Sequence, residues 1–544
     1  MDTVLARIRA ADDPGTIVRA LAPQDLLWAW RAADDEQRLD ILGAAGREQI
    51  VLLADMACWK TDAPEIADLE DLLRPLVASG AEGASLALDL LEPELRTLLF
   101  KAHARVHVVD SRDDEPPAAE GSELISCADG YYHIEFPDPD LVSETVRGLI
   151  AALLLRPFDE YHRELDCVRH DFASELEETA RRFREGRLAD LGYATRQEGL
   201  TLLSPRDPDE VRRMVEAGVA APRLPADIPM PVLYGRSYAG HAFLDRVLAS
   251  FETSSDPAVA ARAGTLGGEL AAMTSRFLTG VGCDLGDPTA VARDVRHARD
   301  TLALGLEAVS RGDAAAAVRT LATVVAGLVL QAGLGVLAPM QRRARAVLAD
   351  RGLRADGVPG DALDGPHAVV VRGLAAQLPV RWPGLDDGRD LAATLVEPLP
   401  DELEAFSSLA QVGFADRLLA EAERVSAFVF GALGARAPLP AGATASSAVL
   451  TALAGASFGR EPRCVPVSAK EASLFAARAV EEAEESFAAS AMAVLAPSAG
   501  VAPAGPLLVS EEGDPTRRLL LRLVLLGRAR LGAGDPSLAL LLTP

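Results

Sequence analysis

The chain has 544 residues, 49% of them hydrophobic and 25% charged, and its formal net charge is −26. A chain of this length is too long to fold around a single hydrophobic core, so we expect about two to four domains of ordinary globular composition. Nucleic acids and anionic membrane surfaces are recognised through clustered Lys and Arg, so the charge balance argues against both as partners.

Lysine is rare: among 54 basic residues only Lys60, Lys101 and Lys470 are lysines. None of them follows a glycine, which excludes a phosphate-binding P-loop. None lies in the Val-Ala-Ile-Lys context of a protein-kinase ATP site, which excludes that class too. The sequence therefore predicts no cofactor of these two kinds, and we find no signal for another.

Cysteine usage and the first residues both bear on the compartment. The cysteines occur singly, with no Cys-x-x-Cys pair, at Cys58, Cys127, Cys167, Cys283 and Cys464. This pattern is neither a disulfide framework nor a zinc ribbon, and it is typical of a reducing compartment. The residues after Met1 show no apolar signal-peptide core. We therefore expect a cytoplasmic protein.

Helix-start signals dominate the whole chain. Asp-Pro occurs seven times, with Asp at 13, 138, 207, 256, 287, 514 and 535. Asp at the N-cap accepts hydrogen bonds from unpaired amides, and Pro at the first helical position lacks an N–H that would have no partner anyway. Capping boxes are predicted at Ser174-x-x-Glu177 and Ser468-x-x-Glu471. These signals predict an overwhelmingly helical protein.

The N-terminal hundred or so residues contain a weak internal repeat: a break, a polar cap and an apolar helix. It recurs at residues 21–27, 45–51 and 91–97. Stacked helix pairs of this kind form a superhelix. The pattern resembles the cytosolic helical repeat of MgtE-type magnesium transporters and of the flagellar switch protein FliG, over roughly residues 20–105. No membrane pore or nucleotide-sensing module follows, so the resemblance implies a fold and not transport.

Strand signals are few. Residues 106–109 and 130–136 flank an acidic stretch and are predicted to form a small ribbon, and residues 368–371 could form a third short strand. His103 precedes this region and His107 lies within its first predicted strand, so the pair runs from a helix end into a strand and its spacing does not predict a shared helix face.

The strongest candidate for a metal site is the set His162, Asp166 and His170, spaced four apart on one predicted helix and therefore on one flank. Two imidazoles and a carboxylate can bind zinc, nickel or iron. A closed zinc site needs four ligands, however, and no second cluster supplies the rest. We therefore predict no metal here and expect these residues to pair with Arg163 and Arg169 at the surface, with metal binding as the alternative.

A second resemblance is carried by a longer set of residues: 174–178, 182–184, 186–193 and Glu198, continued by 406–409 and 422–423. These residues resemble the core of a long bacterial family of unknown function. The resemblance spans most of the chain and implies a helical protein. It brings no activity and no site residues.

Two glycine-containing stretches imitate catalytic or cofactor motifs. Residues 235–240 miss the nucleophile-elbow spacing by one residue, and we interpret them as a flexible loop. Gly333-Leu334-Gly335 imitates a dinucleotide-binding turn, but the preceding residues are predicted to be helical and Pro339 interrupts the expected helix start. Close helix packing through glycine is the better interpretation. Residues 320–341, which contain this stretch, carry no charge; we expect a buried core helix, with a membrane span as the alternative.

Together these signals predict an all-α, multi-domain protein: an N-terminal helical-repeat superhelix, then helical bundle domains, with one small β-ribbon. The predicted segments are 1–105 (superhelix), 106–137 (β excursion), 138–220 (helical), 221–239 (Pro-rich linker), 240–435 (central helical) and 446–544 (C-terminal helical). No catalytic, cofactor or metal residues are predicted. The preferred function is a cytosolic scaffold or adaptor that binds another protein. The alternative is an enzyme or small-ligand binder with a site between the central helices, which a buried cluster of polar groups near residues 162–170 would favour.

Overall fold

A computed structural model describes residue 8 and residues 13–60, 63–218, 231–354, 358–385, 403–503, 514–533 and 540–541. In these residues helices dominate and the few strands are short and antiparallel, which confirms the predicted all-α class with a small β element. The chain divides into two compact units. Unit 1 comprises residues 1–203, 222–240 and 251–296; unit 2 comprises residues 204–221, 241–250 and 297–544.

From residue 13 to residue 103, the described part of unit 1 contains seven α-helices and a pair of two-residue strands. They are α1 (Pro14–Ala20), α2 (Pro23–Ala32), α3 (Asp35–Ala44), α4 (Arg47–Ala57), β1 (Trp59–Lys60), β2 (Ala63–Pro64), α5 (Ile66–Ala78), α6 (Ala81–Leu90) and α7 (Pro93–His103). Helices two apart in sequence pack together: α1 on α3, α2 on α4, and α3 on α5. The caps explain the starts, since the Asp13 side chain accepts from the amide of Thr16 at α1.

A three-stranded antiparallel sheet follows, made of β3 (Arg105–Val108), β4 (Glu123–Ser126) and β5 (Tyr132–Phe136). Its order is β3-β5-β4, with Ile134 of β5 opposite Val106 on one side and Ile125 on the other. The two predicted strands pair with each other as expected. The third strand, β4, is only four residues long and has polar Glu123 and Ser126 at its ends, so the sequence gave no strand pattern there.

Nine α-helices are described between the sheet and residue 310. They are α8 (Glu144–Leu154), α9 (Phe158–His170), α10 (Ala173–Asp190), α11 (Arg196–Leu202), α12 (Pro208–Glu216), α13 (Val232–Tyr238), α14 (Ala242–Thr253), α15 (Pro257–Val281) and α16 (Pro288–Ser310). Three of them begin at the proline of an Asp-Pro pair, as predicted. The capping box predicted at Ser174 is wrong, because α10 begins at Ala173 and its N-cap is Phe172, two residues before Ser174.

The interpretation of residues 235–240 as a flexible loop is also wrong. Helix α13 extends to Tyr238, whose hydroxyl lies 2.9 Å from Thr274 Oγ1, and Ser237 is buried. A side chain held in this way cannot act as an exposed nucleophile. Much of the predicted linker 221–239 lies outside the described residues.

The remaining elements belong to unit 2. They are α17 (Ala314–Thr323), α18 (Ala326–Ala349), α19 (Gly365–Ala375), β6 (Val380–Arg381), β7 (Glu404–Ala405), α20 (Leu409–Ser426), α21 (Ala445–Ser457), α22 (Ala469–Glu481), α23 (Glu484–Leu495) and α24 (Pro515–Ala533). Leu374, Leu419 and Leu523 are fully buried in a hydrophobic core to which α18 through α24 contribute. The capping box predicted at Ser468 and Glu471 is confirmed at the start of α22.

The uncharged segment 320–341 is divided between two helices, because α17 ends at Thr323 and α18 begins at Ala326. In the ranges given above, no helix combines the length and the apolar character that a membrane crossing needs. Helix α18 continues through Pro339, which the sequence had suggested as a break.

The two glycines of the imitated cofactor turn lie at close helix contacts. A Cβ atom added to Gly333 would lie within 3.0 Å of the carbonyl oxygen of Thr301, and one added to Gly335 equally close to that of Arg206. Real Cβ atoms do not approach backbone so closely, so only glycine fits at either position. This supports the packing interpretation, and the helix before Gly333 rules out a strand-turn-helix cofactor motif.

The third predicted strand, at residues 368–371, is wrong because these residues lie in α19. Asp364 is the N-cap of this helix and Pro366 lies in its first turn. Val369, Val370 and Val371 are all buried in unit 2. A short buried run of β-branched residues has the same pattern in a strand and in a helix surrounded by core, so periodicity could not separate them.

Unit 2 also contains a buried ionic cluster that the sequence did not indicate. The carboxylate of Glu421 on α20 is fully buried and lies 2.7 Å from Arg522 Nε, 3.3 Å from Arg518 Nε and 3.1 Å from His367 Nε2. Burial alone would raise the pKa of Glu421, but hydrogen bonds from His367 and Arg522 outweigh it and lower the pKa to about 2. The cluster ties α19, α20 and α24 together.

Candidate functional site

The predicted set His162, Asp166 and His170 lies on α9, but its members have separate surroundings. His162 Nε2 lies 2.6 Å from a carboxylate oxygen of Asp129, and Asp166 accepts a 2.9 Å hydrogen bond from the Tyr132 hydroxyl. His170 is exposed. The partners expected for His162 and Asp166 were Arg163 and Arg169. Those observed are Asp129, in the turn between β4 and β5, and Tyr132, the first residue of β5.

Asp129 is the centre of this cluster, and the sequence analysis missed it. It is 8% exposed and accepts hydrogen bonds from the Tyr161 hydroxyl at 2.5 Å, from His162 and from the amides of Tyr131 and Tyr132. Burial alone would raise the pKa of Asp129, but these hydrogen bonds outweigh it and hold the pKa far below its usual range. The side chain is therefore a saturated, permanently ionised acceptor.

The cluster can in principle support acid–base chemistry, because a carboxylate orients the imidazole of His162. The Tyr132 ring stacks on that imidazole with centroids 4.3 Å apart, so one ring face is covered. The polar groups near residues 162–170 do converge, but they do not line either of the two cavities of unit 1 treated below. Two hydrogen bonds of Asp129 hold the β4–β5 turn itself and two attach it to α9, so a structural role accounts for all four.

Metal and thiol chemistry receive no support from the described side chains. Among the residues that the structure describes, no three His, Cys, Asp or Glu side chains are arranged to hold a metal ion. His103 pairs with Glu70 and His107 with Glu135, so these two histidines face different carboxylates. Burial raises the pKa of all five free cysteines, with Cys167 the lowest at about 11. Each thiol therefore stays protonated and weakly nucleophilic at neutral pH.

A larger feature lies among the first helices of unit 1: a groove of about 930 Å³ between α1, α3, α5 and α6. Val18, Ile41 and Leu76 lie beneath its floor and are at most 2% exposed. The accessible apolar surface comes from Pro14 and Leu39 and from Leu86 at the edge, which is 42% exposed. The groove is therefore a concave apolar surface. We call it the N-terminal groove.

The edge of the N-terminal groove is acidic. Asp40 and Glu82 line it and are exposed, and its described lining contains no lysine or arginine. Within the described ranges neither carboxylate forms an ion pair. The groove thus combines an apolar floor with two exposed carboxylates.

Two glycines shape this groove in different ways. A Cβ on Gly83 would lie within 3.0 Å of the Leu76 carbonyl oxygen, so glycine lets the start of α6 pack on the end of α5. A Cβ on Gly43, in contrast, would meet nothing within 4 Å. Gly43 therefore leaves open space in the groove wall that a larger side chain could fill. No sequence pattern signalled the groove, because its walls come from four separate helices.

The fold and these sites define a class: an all-α protein of many helices with a small antiparallel sheet, whose described residues show no metal cluster. The chain belongs to a family of unknown function, DUF6178, whose model matches residues 3–507. This confirms the family resemblance seen around residues 174–198. No curated protein and no solved structure matches the chain.

Proposed function

We propose that this protein is an adaptor that binds another protein through its N-terminal groove. The occupant we infer is an amphipathic helix of the partner, with apolar anchors at three- and four-residue spacing and Lys or Arg beside them. The observation that carries the proposal is the groove itself: an apolar floor bounded by exposed acids. An apolar helix face laid into a hydrophobic groove is a recurrent mode of peptide recognition.

The charge of the groove supports the choice of a basic partner. Asp40 and Glu82 have no cationic partner in the described structure, and the chain as a whole carries a net charge of −26. Complementary charge at the edge of an interface mainly raises the association rate and rejects wrong partners. An acidic helix would be repelled, and a wholly apolar one would leave these carboxylates without compensation.

The packing of the first helices supports an extended binding surface. Helices two apart in sequence contact each other from α1 to α5, so consecutive helices lie in two alternating rows. Rows of this kind expose broad concave faces without needing a catalytic centre. We place this role in the cytoplasm, as the isolated cysteines suggest, and assign it to the first of the six segments proposed above.

The proposal can be tested by filling the groove. Gly43→Trp places an indole in open space on α3 and should block the partner helix without disturbing the core. Gly186→Trp is the matched control, because Gly186 is also an exposed helical glycine with nothing within 4 Å of an added Cβ, and it does not line the groove. A photo-crosslinking residue at Leu86, followed by mass spectrometry in the native host, identifies the bound peptide.

We expect crosslinking to a basic amphipathic helix, lost in Gly43→Trp and retained in Gly186→Trp. A synthetic peptide of the crosslinked sequence should then bind the purified chain with an affinity that falls as salt concentration rises. The proposal is wrong if crosslinking is the same in both variants or if the captured segment is acidic or non-helical.

A further inference from the structure

A second cavity of unit 1, of about 410 Å³, lies away from the N-terminal groove. It is bounded by the ends of α2 and α4, by β1, by α10, and by the turns that follow α10 and α15. Side chains that matter for its chemistry are Arg31, Trp59, Lys60, Arg184, Tyr193 and Arg196. We call it the Trp59 cleft. Its volume falls in the range of sites for small organic ligands.

Trp59 supplies the first indication of a ligand. The side chain is 9% exposed, yet its indole Nε1 is buried and has no hydrogen-bond acceptor in the described structure. Leaving a buried donor unpaired costs roughly 1–3 kcal/mol. Because Trp59 lines the cleft, a molecule bound there can provide the missing acceptor.

Two guanidinium groups beside the cleft are held in place by backbone. Arg184 Nε donates to the Asp55 carbonyl oxygen at 2.8 Å, and its guanidinium lies 4.9 Å from the centroid of the Trp59 ring. Arg31 Nη2 donates to a main-chain carbonyl at 3.4 Å. A Cβ on Gly286 would lie within 3.0 Å of the Arg31 guanidinium, so glycine there makes room for it. Groups positioned before binding lose little entropy when they bind.

The charge of the lining is unlike that of the whole protein. Four cationic side chains and three carboxylates line the Trp59 cleft, in a chain with a net charge of −26. One of the carboxylates, Glu185, already forms a 2.7 Å ion pair with Arg181, which lies outside the lining. Another, Asp284, accepts a hydrogen bond of 2.8 Å from the backbone amide of Gly286. Of the cations, Lys60 lies 3.5 Å from Glu65, which is outside the lining. The lining itself therefore carries one more cationic side chain than carboxylates.

Trp30 shows why the unpaired indole alone is not sufficient. Its Nε1 is also buried without a partner, and the Arg38 guanidinium lies 4.5 Å from its ring centroid. Trp30 lines neither the N-terminal groove nor the Trp59 cleft. The same indole–guanidinium pair thus occurs twice, once beside a cavity with further cations and once without one, which provides an internal control.

We propose that the Trp59 cleft binds a small organic anion carrying a carboxylate or phosphate group, whose oxygen accepts the hydrogen bond of Trp59 Nε1 and faces the guanidinium groups of Arg31 and Arg184. Guanidinium groups match the geometry of both kinds of oxyanion. The aromatic rings of Trp59 and Tyr193 form an apolar wall against which the rest of the ligand can pack. This site is independent of the N-terminal groove and gives the chain a ligand-binding function beside partner binding.

Isothermal titration calorimetry of the full chain tests the site with three probes: inorganic phosphate, citrate and AMP. Phosphate and AMP test the phosphate class, with and without an attached ring, and citrate tests carboxylates. Trp59→Phe keeps an aromatic ring at this position but removes the N–H donor, and it should weaken binding of the best probe at least tenfold. Trp30→Phe is the matched control and should leave the affinity unchanged. Arg196→Gln changes an exposed cation of the lining, so it should keep the fold and weaken binding several-fold.

Saturable binding of any probe, weakened by Trp59→Phe and by Arg196→Gln but not by Trp30→Phe, supports the proposal, and the best probe assigns the class. The proposal fails if none of the three binds at millimolar concentration. It also fails if Trp59→Phe and Trp30→Phe bind alike while both retain the wild-type circular dichroism spectrum.

Discussion

Glu421 offers the sharpest test of how unit 2 is held together. Its pKa falls from the ordinary 4.5 to about 2 in the folded chain, and each pKa unit corresponds to about 1.4 kcal/mol. The ionised carboxylate therefore stabilises the fold by roughly 3 kcal/mol at neutral pH. Glu421→Gln keeps the shape of the side chain but removes the negative charge that Arg522 faces at 2.7 Å, so we expect a loss of about 3 kcal/mol.

The sign of the pH dependence follows from the depressed pKa. The stabilisation by Glu421 is complete above pH about 4.5, the ordinary value, and is lost as the pH falls toward about 2, where the folded carboxylate takes up its proton. Wild type and Glu421→Gln should therefore differ most at neutral pH and converge in acid.

Glu423→Gln is the matched control on the same helix. Glu423 forms a two-pronged pair with Arg343 at 2.8 Å, but its side chain is 32% exposed, and exposed pairs are worth about 1 kcal/mol or less. Urea denaturation, read by hydrogen exchange of peptides from α20, reports the stability of unit 2 separately from unit 1. Equal destabilisation by the two variants, or a difference that persists unchanged at pH 3, would refute the reasoning.

Two further predictions concern single side chains and use unfolding free energies as the measurement. Asp129→Ala removes the acceptor of four hydrogen bonds and should destabilise unit 1 by about 3 kcal/mol. His170→Ala, a control on the same helix α9, should change the unfolding free energy by less than about 0.5 kcal/mol. Similar values for the two variants would show that Asp129 does not fix the turn. Gly333→Ala should destabilise unit 2 by about 2 kcal/mol or more because of its backbone clash, while Gly264→Ala in α15 should stabilise by about 0.5–1 kcal/mol, since its added Cβ meets nothing within 4 Å. Tolerance of Gly333→Ala would contradict the packing interpretation.

Elemental analysis of protein purified without a histidine tag checks the metal prediction. We expect no stoichiometric zinc, nickel or iron, because His162 and Asp166 face Asp129 and Tyr132 rather than each other. One equivalent of metal, lost in His162→Ala, would overturn that expectation.

The sequence alone indicated the helical class, many helix starts and the family. Asp-Pro pairs and the Ser468–Glu471 capping box act within a few residues of themselves, so their effect is readable from the neighbouring residues. The same locality explains the errors. The valines at 369–371 satisfy strand and buried-helix patterns equally, and their core environment decided for helix.

The sites depended on contacts that no local pattern carries. Asp129 and His162 lie 33 residues apart, and Arg184 reaches the Asp55 carbonyl beside Trp59 across 129 residues. Glu421 meets Arg522 across 101 residues. Only the packing of separate helices determines which distant charges meet and which cavities stay open. Burial and hydrogen-bond satisfaction depend on residues that are close in the folded structure, and these are often far apart in sequence. Local capping set where many helices begin; the tertiary structure decided the groove, the cleft and the buried ion pairs.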